Sequence, residues 1–145
     1  MAKVSIYLNF PGTAEAAFTF YKKVFKTEFV GPIMYIKDVP SQDGNPQFSE
    51  EDGKKVMHAC LPILGGTQIM ATDIVESMGH QLIAGNNIHI NLEPDSREET
   101  ERLFNALSEG GSEIEPLQDM FWGDYWGSCL DRYGIRWMFN HHPTE

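Results

Sequence analysis

The sequence predicts an α+β fold: two tandem βαβββ modules whose strands form a curved mixed sheet around a cleft. Three observations lead there. Short runs rich in β-forming residues are punctuated by Pro and Gly, and two amphipathic runs carry helical periodicity. The order strand, helix, three strands occurs twice. The two occurrences align when Pro11 is set on Pro94. That same offset matches Thr13 with Ser96, Glu15 with Glu98, Phe20 with Leu103, Tyr21 with Phe104 and Val24 with Leu107. Cap, acidic first turn and core stripe therefore repeat together, with module one over about residues 1–74 and module two over about 86–140.

The first strand is VSIYLNF, residues 4–10, stopped by Pro11 and Gly12. Thr13 is placed to cap the helix that follows, in which Ala17, Phe20, Tyr21 and Val24 form an apolar stripe and Lys22, Lys23 and Lys26 gather at the far end. Three strand candidates come next, IMYIKDV, KKVMHACLPI and TQIMATD, the last two joined by the hairpin-favouring pair Gly65-Gly66. NIHINLE opens the second module. Ser96 and Glu99 have capping-box spacing for REETERLFNALSEGG, which Gly110-Gly111 should close. SEIEPLQD, DYWGSCLDR and IRWMFN complete the repeat. The polar stretch from Lys37 to Lys54 is expected to be a connection or a lid.

A chain of 145 residues with 41% hydrophobic content can bury one ordinary core. Its net charge of -10 argues against nucleic acid, since such a surface repels a polyanion. No stretch approaches the roughly 20 apolar residues of a membrane span, and residues 1–10 lack the apolar core of a secretory signal. Cys60 and Cys129, far apart and each in a strand-like run, suggest neither a disulfide framework nor a thiolate zinc site. A cytoplasmic protein is the expectation.

Four segments, YLNFPGTAEAAFTFYKKVF, GKKVMHACLPILGGTQIMATD, INLEPDSREETERLFNALSEGG and PLQDMFWGDYWGSCLDRYGIRWMFN, resemble the vicinal oxygen chelate superfamily, in its PhnB-like branch. That branch carries the label 3-demethylubiquinone-9 3-methyltransferase and stands beside glyoxalase I, bleomycin-resistance proteins and extradiol dioxygenases. The resemblance implies a homodimer. It also implies a divalent metal held by His and Glu side chains on four strands, two from each module, with positions left open for substrate oxygens.

Under that resemblance His58, in VMHACL, and His89, in HINLEPD, stand as tentative metal ligands. The set is incomplete: Met138 occupies the place of a glutamate on the last strand, and the first strand offers Ser5 or Ile6 according to register. Either histidine can equally be a hydrogen-bonded side chain facing a partly wet cleft. In MFWGDYWG, the aromatics Phe121, Trp122, Tyr125 and Trp126 around Gly123 and Gly127 suit a wall for a flat or apolar ligand, and core or dimer packing is the bland alternative. Asp119 and Asp124 flank this loop as solvated charge.

These residues lead to a small-molecule binding protein, its ligand aromatic or apolar and seated among His58, His89, Phe121, Trp122, Tyr125, Trp126 and Met138. The alternative is a metal-dependent enzyme of the glyoxalase or dioxygenase type. The methyltransferase of the family label comes third, because the chain lacks the Gly-rich strand-to-helix loop of a doubly wound donor site.

Overall fold

A computed structural model describes residues 1–40 and 48–144 as two compact units, Met1–Ile83 and Ala84–Glu145. The expected fold class is borne out in each unit: a four-stranded mixed sheet with one long helix on one face.

Unit 1 contains β1 (Ile6–Phe10), α1 (Ala14–Phe25), β2 (Met34–Tyr35), the short α2 (Glu50–Gly53), β3 (Val56–Pro62) and β4 (Gln68–Asp73), in sheet order β1-β4-β3-β2. Unit 2 contains β5 (Ile90–Leu92), α3 (Arg97–Ser108), β6 (Ser112–Asp119), β7 (Tyr125–Leu130) and β8 (Arg136–His141), in the matching order β5-β8-β7-β6. The first strand of each unit runs parallel to the last, and the remaining pairs are antiparallel.

The helices obey the repeat without slippage, since the offset that sets Pro11 on Pro94 also carries Ala14–Phe25 onto Arg97–Ser108. After the helix a shorter offset applies, the one that carries Gln68–Asp73 onto Arg136–His141. Unit 1 thus has the longer connection between helix and hairpin, and the excess falls in the polar stretch. Of that stretch, residues 41–47 lie outside the described residues. The C-terminal part forms α2, capped by Ser49 Oγ, which accepts from Asp52 N at 3.1 Å.

Alternation along the strands decides what is buried. In unit 1, Phe10, Leu61, Ile69 and Ala71 pack with Ala17, Phe18, Tyr21 and Val24 of α1 in the core. Phe20, expected in that stripe, is only half-buried and Phe18 takes the inner place. In unit 2, Trp137 and Phe139 are fully buried, and the Phe104 ring meets Phe139 edge to face at 5.3 Å.

Three local expectations are corrected. Thr13 makes no side-chain cap; the N–H of Ala14 donates instead to Asp73 Oδ1 at 2.9 Å, a partner far along the chain that no local pattern reveals. IMYIKDV yields a strand of only Met34 and Tyr35, because Ile36–Asp38 turns into a 3-10 helix. NIHINLE yields only Ile90–Leu92, leaving His89 just ahead of the strand. The Gly65-Gly66 turn forms, with φ of 71° and 84° that L side chains rarely adopt.

Candidate functional site

Each sheet has a helix-covered face and a face without a helix, here called open. In unit 1, β1 and β4 register as Tyr7 beside Met70 and Asn9 beside Thr72. Ile69, Ala71 and Asp73 are buried toward α1, so the intervening Met70 and Thr72, with Tyr7 and Asn9, belong to the open face. The His58 ring lies 6.3 Å from that of Tyr7, which puts this half-buried histidine on the open side as well.

Over this face and the segment after β4 lies a cavity of about 780 Å³, lined by Tyr7, Asn9, Met57, Thr72, Val75 and His80 among others. Its size falls in the range of small-molecule sites. Asp73, among the lining residues, is 3% exposed and accepts from Gly12 N at 3.1 Å, Ala14 N at 2.9 Å and Val56 N at 2.8 Å. His80 Nδ1 accepts from the N–H of Val75 at 3.2 Å.

In unit 2 the register sets Asn91 and Ser128 beside Met138, and Trp126 beside Asn140. Ile90, Leu92, Trp137 and Phe139 are the buried alternates. Trp126 and Met138 therefore share the open face, while half-buried His89 stands one residue ahead of β5. Tyr125 is parted from them. It is 7% exposed on the helix side, its hydroxyl donates to Glu101 at 2.9 Å, and the Arg97 guanidinium lies 3.7 Å over its ring while making two bonds to Asp119 at 2.7 and 3.1 Å. Burial, then the bond to Glu101, pushes the Tyr125 phenol up from its ordinary value. Tyr125 and Asp119 thus fasten α3 to the sheet.

Phe121 and Trp122 sit at the tip of the β6–β7 connection, 96% and 51% exposed, ring edge against ring face at 4.9 Å. The loop is held from behind. Asp124 accepts from Trp122 Nε1 at 3.2 Å, from Asn140 Nδ2 at 3.0 Å and from His142 Nδ1, and the His142 partner first, then Asn140, keeps its carboxyl below the usual carboxylate range. Asp124, expected to be solvated charge, is the hub of this loop. His141 has a separate task, its Nδ1–H donating to Pro94 O at 2.9 Å.

The repeat also settles the first-strand register. Met70 and Met138 are equivalent when β4 is laid on β8; Tyr7 pairs with Met70 as Asn91 pairs with Met138. His89 therefore corresponds to Ser5, not Ile6. By the same overlay His58 corresponds to Trp126, so it is not the counterpart of Met138. The four positions related by the repeat through His89 and Met138 are Ser5, Met70, His89 and Met138. One imidazole, one hydroxyl and two thioethers do not fit the hard, oxygen-chelating divalent ion that the resemblance implies. Within either unit, no three described His, Cys, Asp or Glu side chains are grouped to hold a metal ion.

Of the side chains singled out in the sequence, the structure puts His58, Trp126 and Met138 on open faces. Sequence reasoning missed Asp73 and His80, because a carboxylate that binds backbone far along the chain and an imidazole in an exposed turn leave no periodic trace.

Residues 2–139 match the model of a family described as 3-demethylubiquinone-9 3-methyltransferase. Protein YjdN of Escherichia coli (strain K12) is 27% identical, with 98% of this chain and 99% of that one covered. The crystal structure of protein PA1353 from Pseudomonas aeruginosa is similar at a TM-score of 0.80 and 31% identity over 98% of each chain. A PhnB protein from Bacillus cereus shares the fold at a TM-score of 0.73 and 24% identity, over 97% of this chain and 99% of that one. Glyoxalase/bleomycin resistance/dioxygenase proteins share the same fold.

Proposed function

Because the chain belongs to the family described as 3-demethylubiquinone-9 3-methyltransferase, on the vicinal oxygen chelate fold, we propose that it binds a small apolar or aromatic molecule without a metal ion. The cavity of about 780 Å³ on the open face of unit 1 carries this reading. Its wall is largely aliphatic and thioether and includes the Tyr7 ring, which has the His58 ring as its neighbour outside the lining. Burial of a flat apolar ligand against such a wall supplies about 25 cal/mol per Å² of apolar surface removed from water. A few polar atoms then fix its orientation.

Ser5 and Met70 in unit 1, and His89 and Met138 in unit 2, each pair a thioether with at most one ordinary metal ligand, which supports binding over metal catalysis, since thioethers are poor partners for a hard ion. Methyl transfer rests on the family's description alone. Gly65-Gly66 joins two strands and Gly110-Gly111 follows a helix, so neither opens a helix as a donor-binding loop would. The exposed Val4, Ile83, Ile88 and Phe121 favour a homodimer that covers them, checked by sedimentation. The free, buried Cys60 and Cys129 suit the reducing cytoplasm.

The test is elemental analysis of untagged protein after gentle purification, followed by a fluorescence screen of naphthalene-sized compounds. The expected result is less than a tenth of a metal equivalent per chain and saturable binding that survives chelator. One tightly held metal per chain, lost in a His58→Ala, His89→Ala double variant, would revive the enzyme reading.

A further inference from the structure

The orientation of His80 narrows the ligand class. A backbone N–H can only donate, so the Val75 N–H bond to His80 Nδ1 at 3.2 Å requires that nitrogen to be bare. In the neutral ring the proton must then be on Nε2. His80 lines the cavity and its side chain has no other hydrogen-bond partner among the described residues, so Nε2–H is an uncommitted donor on a lining residue.

Charge at the wall points the same way. Asp73 is the sole charged side chain among the described lining residues, and its carboxylate is 3% exposed and occupied by three backbone N–H groups. A charged ligand seated here would shed its hydration without meeting a counter-charge, which is costly. A neutral ligand with a hydrogen-bond acceptor meets a largely apolar wall in which, beside the side-chain donors of Tyr7, Asn9 and Gln81, the His80 donor is the one whose tautomer the backbone sets.

Resting on the proposed binding role, we propose that His80 is a specificity-determining residue that selects neutral, acceptor-bearing molecules, such as aryl ketones or quinones, over plain hydrocarbons and over cations. Thr72 cannot substitute as donor, because its hydroxyl already points to Val56 O at 3.3 Å and Asp73 O at 3.4 Å. The backbone holds the imidazole in the required tautomer before any ligand arrives.

Three probes of similar shape test this: 1-acetylnaphthalene, 1-ethylnaphthalene and the cationic 1-(1-naphthyl)ethylamine. The ketone is expected to bind about tenfold tighter than the hydrocarbon, the scale of one hydrogen bond, and tighter than the amine. That advantage should vanish in His80→Ala and persist in His80→Gln, whose amide can accept from Val75 and still donate. Equal affinity for ketone and hydrocarbon in the unaltered protein, or a ketone preference that survives His80→Ala, overturns the assignment while leaving the binding role intact. Failure of all three probes to bind overturns both. Independently of any ligand, ring nitrogen-15 spectra of the neutral His80 imidazole should show Nε2 protonated and Nδ1 bare; the reverse tautomer overturns the assignment outright.

Discussion

The two units share one frame but are pinned at opposite ends of the same strand pair. In unit 1 the buried carboxylate is Asp73, at the C-terminal end of β4, where it gathers the N–H groups of Gly12, Ala14 and Val56. The equivalent position in unit 2 is His141, which instead donates to Pro94 O. Unit 2 has its buried carboxylate in the β7–β8 hairpin: Asp131, 3% exposed, accepts from Tyr133 N at 2.8 Å, Ile135 N at 3.0 Å and Trp137 Nε1 at 2.8 Å. Its counterpart in unit 1 is Ile63, whose N–H bonds Thr67 O at 2.7 Å just as Asp131 N bonds Ile135 O at 2.8 Å. Backbone hydrogen bonding and apolar alternation thus preserve the frame, while each unit has its own buried carboxylate. The unit 1 pin is also one of the residues that line the cavity.

The largest effects should come from removing these pins. Asp73→Ala and Asp131→Ala each leave three donors without a charged acceptor, and each should cost about 3 to 4 kcal/mol, read from urea denaturation. A loss in one variant alone would break the equivalence of the two pins. Next come the glycines. A Cβ at Gly111 would stand 2.3 Å from Leu130 O, a backbone atom that cannot swing aside, so Gly111→Ala should lose roughly 2 to 3 kcal/mol. Gly65 has open space but a φ of 71°, and Gly65→Ala should lose only about 1 kcal/mol.

A smaller effect separates the aromatic tip of unit 2 from the cavity of unit 1. The Asp124 carboxyl, held low by His142, Asn140 and Trp122 in the folded state, contributes its bonds above the ordinary carboxylate range and loses them as pH falls through its lowered folded value. The indole N–H resonance of Trp122 should therefore move on acidification, whereas Asp124→Asn should abolish that acid limb. An unchanged titration in the variant would remove Asp124 from its place behind the loop.

Much of this frame was legible beforehand, because Pro11 with Pro94 and the two helical stripes are local patterns that tertiary contacts leave in place. Strand alternation pointed to a shared environment for His58 and His89, while Trp126 was singled out by the crowding of aromatics and Met138 by the family resemblance. Tyr125 was grouped with Trp126, from which one step along the strand parts it through the sheet. The cap supplied by Asp73, the Asp124 hub and the His80 tautomer depend on groups brought together only by folding, so the chain order carries no sign of them.

The most direct test of the central claim, that unit 1 holds the ligand cavity, is a titration of methyl-carbon-13 methionine protein with 1-acetylnaphthalene. Met57 and Met78 line the cavity, while Met120 in unit 2 does not. The account predicts saturable shifts of the Met57 and Met78 methyl signals with Met120 unmoved; saturable binding that leaves Met57 and Met78 in place would contradict it.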